Sequence, residues 1–225
     1  MENKMENKAE NKIENNMENN DDYKNMWDSR YKNAAYAYGT TPNDFFSERL
    51  QTMKPGVILM PADGEARNGV FAAEKGWKVT SLDFSIEAKT KALNLAKERG
   101  VSIDYVVGDL EQLDLPKEAF DAIGLIYAHF SKEKKSALHR KLSNYLKPGG
   151  IVIFEAFSKA NLRLKEIDPR VGGPRDIDML FSKEEIEADF ANYEILLLEE
   201  KEIELSEGPY HSGRGSVIRF VGRKP

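Results

Sequence analysis

Val57-Ile58-Leu59-Met60-Pro61-Ala62-Asp63-Gly64-Glu65-Ala66-Arg67-Asn68 runs from apolar residues at strand length, through small residues, into an amphipathic stretch over 67–75. A strand, a tight turn and a helix are read here, and the same order returns downstream. Residues 78–83 read as a second strand. Residues 87–99 carry Ala88, Ala92, Leu95 and Ala96 at helical spacing and stop at Gly100. A third strand is read at 103–107 and a fourth at 120–127. A helix over 132–146 halts at Pro148-Gly149-Gly150, and 151–154 reads as a fifth strand. Strands alternating with helices predict right-handed crossovers and a parallel sheet with helices on both faces. The unbroken apolar run 123–126 suits a strand buried on both sides.

The end breaks the pattern. A helix over 182–190 has Ser182 as N-cap and Glu185 at the capping-box position. Two strands, 193–205 and 215–223, flank a turn-rich stretch at 206–214. That hairpin predicts one antiparallel strand added to the parallel sheet.

Composition bounds the function. The 225 residues suit one domain of generous size, with 40% hydrophobic and 32% charged residues. No apolar run approaches the roughly 20 residues of a spanning helix, and no apolar signal segment opens the chain. The absence of cysteine excludes disulfide scaffolds, iron–sulfur clusters, cysteine nucleophiles and cysteine-based zinc sites. His129, His139 and His211 lack metal-ligand spacing, so no metal site is expected, and His139 reads as structural within its helix. A cytoplasmic location is the expectation.

Residues 1–20 repeat Met-Glu-Asn-Lys with decay. The period of four sets like charges at i,i+4, so 1–22 reads as a disordered leader before a single domain at 23–225. Three lysines and seven acids in that leader leave the body nearly neutral within a net charge of −5. Nothing there calls for nucleic acid.

Ligands of open α/β sheets bind beyond the carboxyl ends of the strands. Three such ends carry suitable groups. The Ala62-Asp63-Gly64-Glu65-Ala66 turn allows close backbone approach and leads into a helix N-terminus, although an ordinary tight turn has the same composition. Asp83 stands about 20 residues on, where a carboxylate can take both hydroxyls of a ribose, or merely cap a helix alongside Ser85. Asp109 and Leu110 follow strand three, where they can hold an adenine amine and ring, or only make a turn.

The segments at 61–68, Ser81-Leu82-Asp83-Phe84-Ser85, Gly108-Asp109-Leu110, 120–123 and Leu146-Lys147-Pro148-Gly149-Gly150 together resemble, in order, the motifs of class I S-adenosylmethionine-dependent methyltransferases. Trp27-Asp28-Ser29-Arg30-Tyr31 with Tyr38-Gly39-Thr40-Thr41-Pro42-Asn43 resembles the N-terminal segment of the tellurite-resistance and thiopurine methyltransferase-like branch. The resemblance implies a Rossmann-like fold, a seven-stranded sheet with one antiparallel strand, and S-adenosylmethionine as cofactor. It implies that Ala62, Gly64 and Ala66 line the methionine end, that Asp83 and the adjoining Phe84 serve the ribose motif, and that Asp109 and Leu110 flank the adenine. Tyr127 would lie near the sulfonium, and Arg30 and Tyr38 would help residues 23–52 cover the cofactor. Where the family often has an acid and two glycines, this chain has Met60, Ala62 and Ala66; Glu65 is a candidate substitute for the missing acid.

Topology brings the segments after strands four and five and the hairpin turn to one rim. His129, Arg175 and His211 are therefore candidate acceptor-site groups, and 156–181 is expected to act as a lid-like insertion. The implied activity is in-line transfer to a small-molecule acceptor, where a thiol or chalcogen oxyanion needs little base. Two rivals stand beside it. Gly64-Glu65-Ala66-Arg67-Asn68-Gly69 is one substitution from a dinucleotide fingerprint, which would make an NAD-dependent oxidoreductase. Met60, Ala62 and Ala66 also fit a non-catalytic binding module.

Overall fold

The computed structural model describes residues 24–33 and 35–225, and the N-terminal repeat read as a leader lies outside them. The elements are α1 (24–31), α2 (Asp44–Leu50), β1 (Val57–Pro61), α3 (Arg67–Glu74), β2 (Lys78–Asp83), α4 (Ile86–Glu98), β3 (Asp104–Val107), β4 (Phe120–Ile126), α5 (Lys132–Tyr145), β5 (Leu146–Phe157), α6 (Asn161–Ile167), α7 (Lys183–Asp189), β6 (Glu194–Ser206) and β7 (Ser212–Arg223). One seven-stranded sheet has the order β3-β2-β1-β4-β5-β7-β6. Only β7 runs antiparallel to its neighbours. The expected Rossmann-like α/β sheet, mostly parallel with one reversed strand from the C-terminal hairpin, is what the chain forms.

The two faces of the sheet are sorted by the alternation of each strand. Ile58 and Met60 point into a cluster with Phe45, Phe46, Val79 and Leu95. Leu59 points the other way, among Ile123, Phe154, Leu142, Ile186 and Phe220. Met60 fills the space over Gly124, where an added Cβ would stand 2.6 Å from its sulfur. Its side chain therefore belongs to the core.

Two boundaries differ from the sequence reading. Strand β5 starts at Leu146, so Pro148-Gly149-Gly150 lies inside it. Gly149 bends there at φ 76°, and Lys224 exchanges hydrogen bonds with Gly149 and Gly150 at 2.9 Å, which extends the pairing. The hairpin turn is only 207–211, because β6 and β7 pair up to Ser206 and Ser212. The stretch after β5 holds α6 and two 3-10 turns, Pro169–Val171 and Ile177–Met179. Its Val171, Leu180 and Phe181 are fully buried, so it forms a ledge packed on the sheet.

The order of the strands reverses at β1 and β4, which leave the sheet centre in opposite directions. That is the switch point at which such sheets bind ligands.

Candidate functional site

A cavity of ≈ 420 Å³ opens at the carboxyl ends of β1, β2, β4 and β5. It lies in the size range of small-ligand sites. The loop after β1 forms its floor. Ala62, Gly64 and Ala66 take φ of 54°, 54° and 58°. Each alanine in this region carries roughly 1 kcal/mol of steric strain that glycine would not. The alanines therefore keep the backbone path that the sequence departure put in question. Gly64 is pinned on both sides: its N–H donates to Asp83 Oδ2 at 3.0 Å, and its carbonyl accepts from the Tyr105 hydroxyl at 2.6 Å.

Asp83 ends β2 and faces the cavity beside Phe84. Its second oxygen accepts from the Ser85 N–H at 3.0 Å. Burial pushes its carboxyl up to about 6, against these backbone donors. Each oxygen keeps a lone pair for a further donor. Asp63, one turn away, was missed as a site residue. Burial pushes its carboxyl up to about 8, against the Ser81 hydroxyl, which donates to Oδ2 at 2.7 Å, while Oδ1 is buried without a partner among the described residues.

Three cofactor-side expectations meet a different arrangement. Ala66 is fully buried beneath the loop and shapes it without reaching the cavity. Glu65 reaches the cavity wall, and its carboxylate accepts from the Ala37 N–H at 2.7 Å and forms an ion pair with Lys91. Asp109 and Leu110 stand at the tip of β3 off the cavity wall. The Asp109 carboxylate caps its own turn through the Glu111 N–H at 2.9 Å, and Leu110 packs on the cluster around Phe120 and Leu142.

The roof is aromatic and comes from the N-terminal segment. Trp27 stacks on Tyr31 at 5.5 Å, and the Arg30 guanidinium lies 4.6 Å from both the Trp27 and Tyr210 ring centres. Arg30 donates to the Tyr38 hydroxyl at 2.7 Å. Lys91 donates to the carbonyls of Asn33 and Ala35 at 2.9 and 2.6 Å, and with Glu65 it ties this segment to the loop below.

The opposite wall carries the acceptor candidates. Tyr127 leaves β4 at φ 53° and donates to Glu155 at 3.0 Å. His129 has both nitrogens engaged: Nδ1 donates to the Met179 carbonyl at 2.9 Å and Nε2 accepts from the Phe157 N–H. Burial lowers it to about 4. It lines the cavity as a neutral ring that links Met179 to the β5 backbone. His211 is different. It sits against Tyr38, Tyr127 and Phe157, with ring centres 4.5, 4.4 and 5.1 Å away. Its Nδ1 donates to Glu207 at 3.1 Å, and among the described residues no hydrogen bond is made to its Nε2. Burial lowers its basicity while Glu207 raises it. Glu207 in turn is held down to about 2: burial would raise it, but the His211 bond and the Arg67 charge at 2.9 Å outweigh that. Asn43 joins Glu207 to the wholly buried Glu155, which Arg219 neutralises at 2.6 Å. Arg175 and Lys165 also line this wall. No pattern of spacing marked Asp63, Lys165 or Glu207; only the folded chain brings them together.

Among the described residues no helix is long and apolar enough to cross a membrane, and no cluster suits a metal ion. Residues 58–150 match the family model described as Methyltransferase domain. Malonyl-[acyl-carrier protein] O-methyltransferase of Serratia marcescens is 28% identical over 154 residues, which is 65% of this chain and 58% of that protein. The match thus spans less than two thirds of that relative's length. A structure concerned with the conversion of a disulfide bond into a thioacetal group during echinomycin biosynthesis superposes with TM-score 0.72 and 18% identity, covering 90% of this chain and 92% of that one. TehB from Haemophilus influenzae gives 0.66 and 16%, covering 90% and 67%.

Proposed function

We propose that this chain, whose residues 58–150 match the family model described as Methyltransferase domain, is an S-adenosylmethionine-dependent enzyme that methylates a small-molecule acceptor within the cavity at the switch point. The observation that carries the reading is Asp83: a buried carboxylate at the tip of β2, fixed by two backbone N–H groups, with lone pairs left toward a cavity of ≈ 420 Å³. Those lone pairs suit the two hydroxyls of a ribose. The cofactor fits the donor set, and when bound it supplies a methyl group on a sulfonium. Asp83 would hold its ribose, Ala62 and Gly64 would flank its methionine end, and Arg30 with Tyr38 would cover it and meet its carboxylate. Tyr127 and Phe157 offer ring faces, 4.8 Å apart, that favour a nearby positive charge.

His211 is the proton acceptor in this reading. Glu207 fixes the tautomer, so the free Nε2 carries a lone pair toward the acceptor's nucleophile. A thiol or hydroxyl would lose its proton there; an acceptor already ionised, such as a chalcogen oxyanion, would not need to. The placement of Trp27, Arg30 and Tyr38 over the cavity supports the tellurite-resistance-like branch. Isothermal titration with S-adenosylmethionine and S-adenosylhomocysteine tests the reading. Micromolar binding of both is expected. No heat and no protection against melting at millimolar ligand would sink it.

A further inference from the structure

We propose that the methyl acceptor is an anion, gripped through two of its oxygens by Lys165 and Arg175; this rests on the methyl-transfer reading of the same cavity. Both side chains come from the ledge after β5 and line the cavity. Among the described residues neither has a carboxylate partner. The two acids nearest Arg175 in sequence are used elsewhere: Asp178 pairs with Lys132 at 3.0 Å, and Asp176 accepts from the Asp178 N–H at 2.9 Å. Lys165 donates only to the Gly173 carbonyl. Burial, and then the charges of Arg175 and Arg30, draw Lys165 below its ordinary range. Lys165 is half-buried and Arg175 is exposed, and a bound anion relieves the repulsion between two such cations that lack a counter-charge.

The backbone that delivers them is built for the purpose. Gly172 and Gly173 adopt φ of 83° and 84°. A Cβ on Gly172 would stand 2.1 Å from the Tyr210 carbonyl oxygen, and one on Gly173 would stand 2.7 Å from the Phe157 ring. The chain is wedged there between the hairpin and β5, and the next two residues, Pro174 and Arg175, are brought to the cavity. Arg30 is excluded from the grip, because it is sandwiched between Trp27 and Tyr210 on the cofactor's side. The acids of the cavity, Asp63, Glu65 and Asp83, stand on the loops after β1 and β2. Arg30 and Arg67 line the cavity beside these acids, and Lys165 and Arg175 line it from the ledge. A guanidinium beside an ammonium matches a carboxylate or an inorganic oxyanion alike.

Titration of the full chain distinguishes these sources. Malonate, 3-mercaptopropionate and selenite are added with and without saturating S-adenosylhomocysteine, with methyl 3-mercaptopropionate as the uncharged control. At least one anion is expected to bind about tenfold or more tightly than the ester, and Arg175→Gln is expected to erase that preference. Carboxylates binding without selenite identify an organic acid, and the reverse identifies an inorganic oxyanion; both support the grip. Equal binding of ester and acid, or undiminished anion affinity in both Arg175→Gln and Lys165→Met, overturns it. Because S-adenosylhomocysteine affinity is measured in the same samples, a wild-type chain that binds S-adenosylhomocysteine but shows no preference for the anions over the ester breaks this inference alone. Anion binding without S-adenosylhomocysteine binding breaks the cofactor reading alone.

Discussion

Asp83 and His211 line one cavity, yet they are held by different kinds of structure. Asp83 closes a parallel strand, and backbone N–H groups of Gly64 and Ser85 fix its two oxygens. His211 sits on a hairpin turn, and a side chain fixes it: Glu207, itself held by Arg67 and Asn43. The cofactor wall is therefore written mostly in backbone. It tolerates alanine at positive φ because the path of the chain, not the side chain, makes the site. The acceptor wall is written in side chains from four segments distant in sequence, so a single substitution can rewire it. Affinity for the donor should be robust on this account, and choice of acceptor should be easily changed.

Substitutions on the acceptor wall should separate rate from affinity. His211→Ala is expected to lower kcat by about 10²–10⁴ with an acceptor that must lose a proton, while S-adenosylhomocysteine affinity stays within about twofold. Glu207→Gln should shift the acid limb of the rate profile to lower pH, because the carboxylate raises His211 basicity. A KM increase with unchanged kcat in both variants would show His211 to be a contact only. On the cofactor wall the signature reverses. Asp83→Ala should weaken S-adenosylhomocysteine by roughly 10- to 100-fold, about 1.5–3 kcal/mol for two hydrogen bonds to a charged group, without loss of anion binding. Wild-type affinity should also fall as the pH drops through about 6, where Asp83 takes up a proton.

How far the sequence reached follows the same division. The succession of strands and helices along the chain and the single reversed strand follow from short-range patterns, since apolar periodicity and turn residues are local. Asp83 was legible because a strand end and a fixed interval locate it. The ledge was not: Gly172 and Gly173 signalled a special backbone, but only packing against Tyr210 and Phe157 shows where it delivers Arg175. His129 and His211 looked alike in sequence. Their roles part because the β5 backbone and Met179 take both nitrogens of one, while Glu207 takes a single nitrogen of the other. At Asp109 the sequence does not discriminate, because a Gly-Asp turn at the end of a strand serves its own turn and a ligand with the same residues.

Two smaller effects sharpen the contrast. Asp63 is held near 8, above the roughly 4 of an unfolded aspartate, so the folded chain binds that proton more tightly. Stability is then fully present below about pH 4 and declines as the pH rises toward about 8. Asp63→Asn should flatten this slope, with a gain on the order of 1–2 kcal/mol at pH 8 relative to the wild type, read by thermal melts across the range. An unchanged slope would mean that Asp63 is ionised throughout. Ala66→Gly relieves the left-handed strain but adds entropy to the unfolded chain, and a net gain of about 0.5–1 kcal/mol is expected, seen as roughly 1–4 °C in Tm. A loss would mean that the alanine methyl's packing outweighs the strain.

The most direct measurement is a crystal structure of the full chain grown with S-adenosylhomocysteine. The account predicts both ribose hydroxyls within hydrogen-bond distance of Asp83, the homocysteine carboxylate toward Arg30, and the sulfur facing the side where His211 and Arg175 stand. A nucleoside bound away from Asp83, or the sulfur turned from that wall, would contradict it.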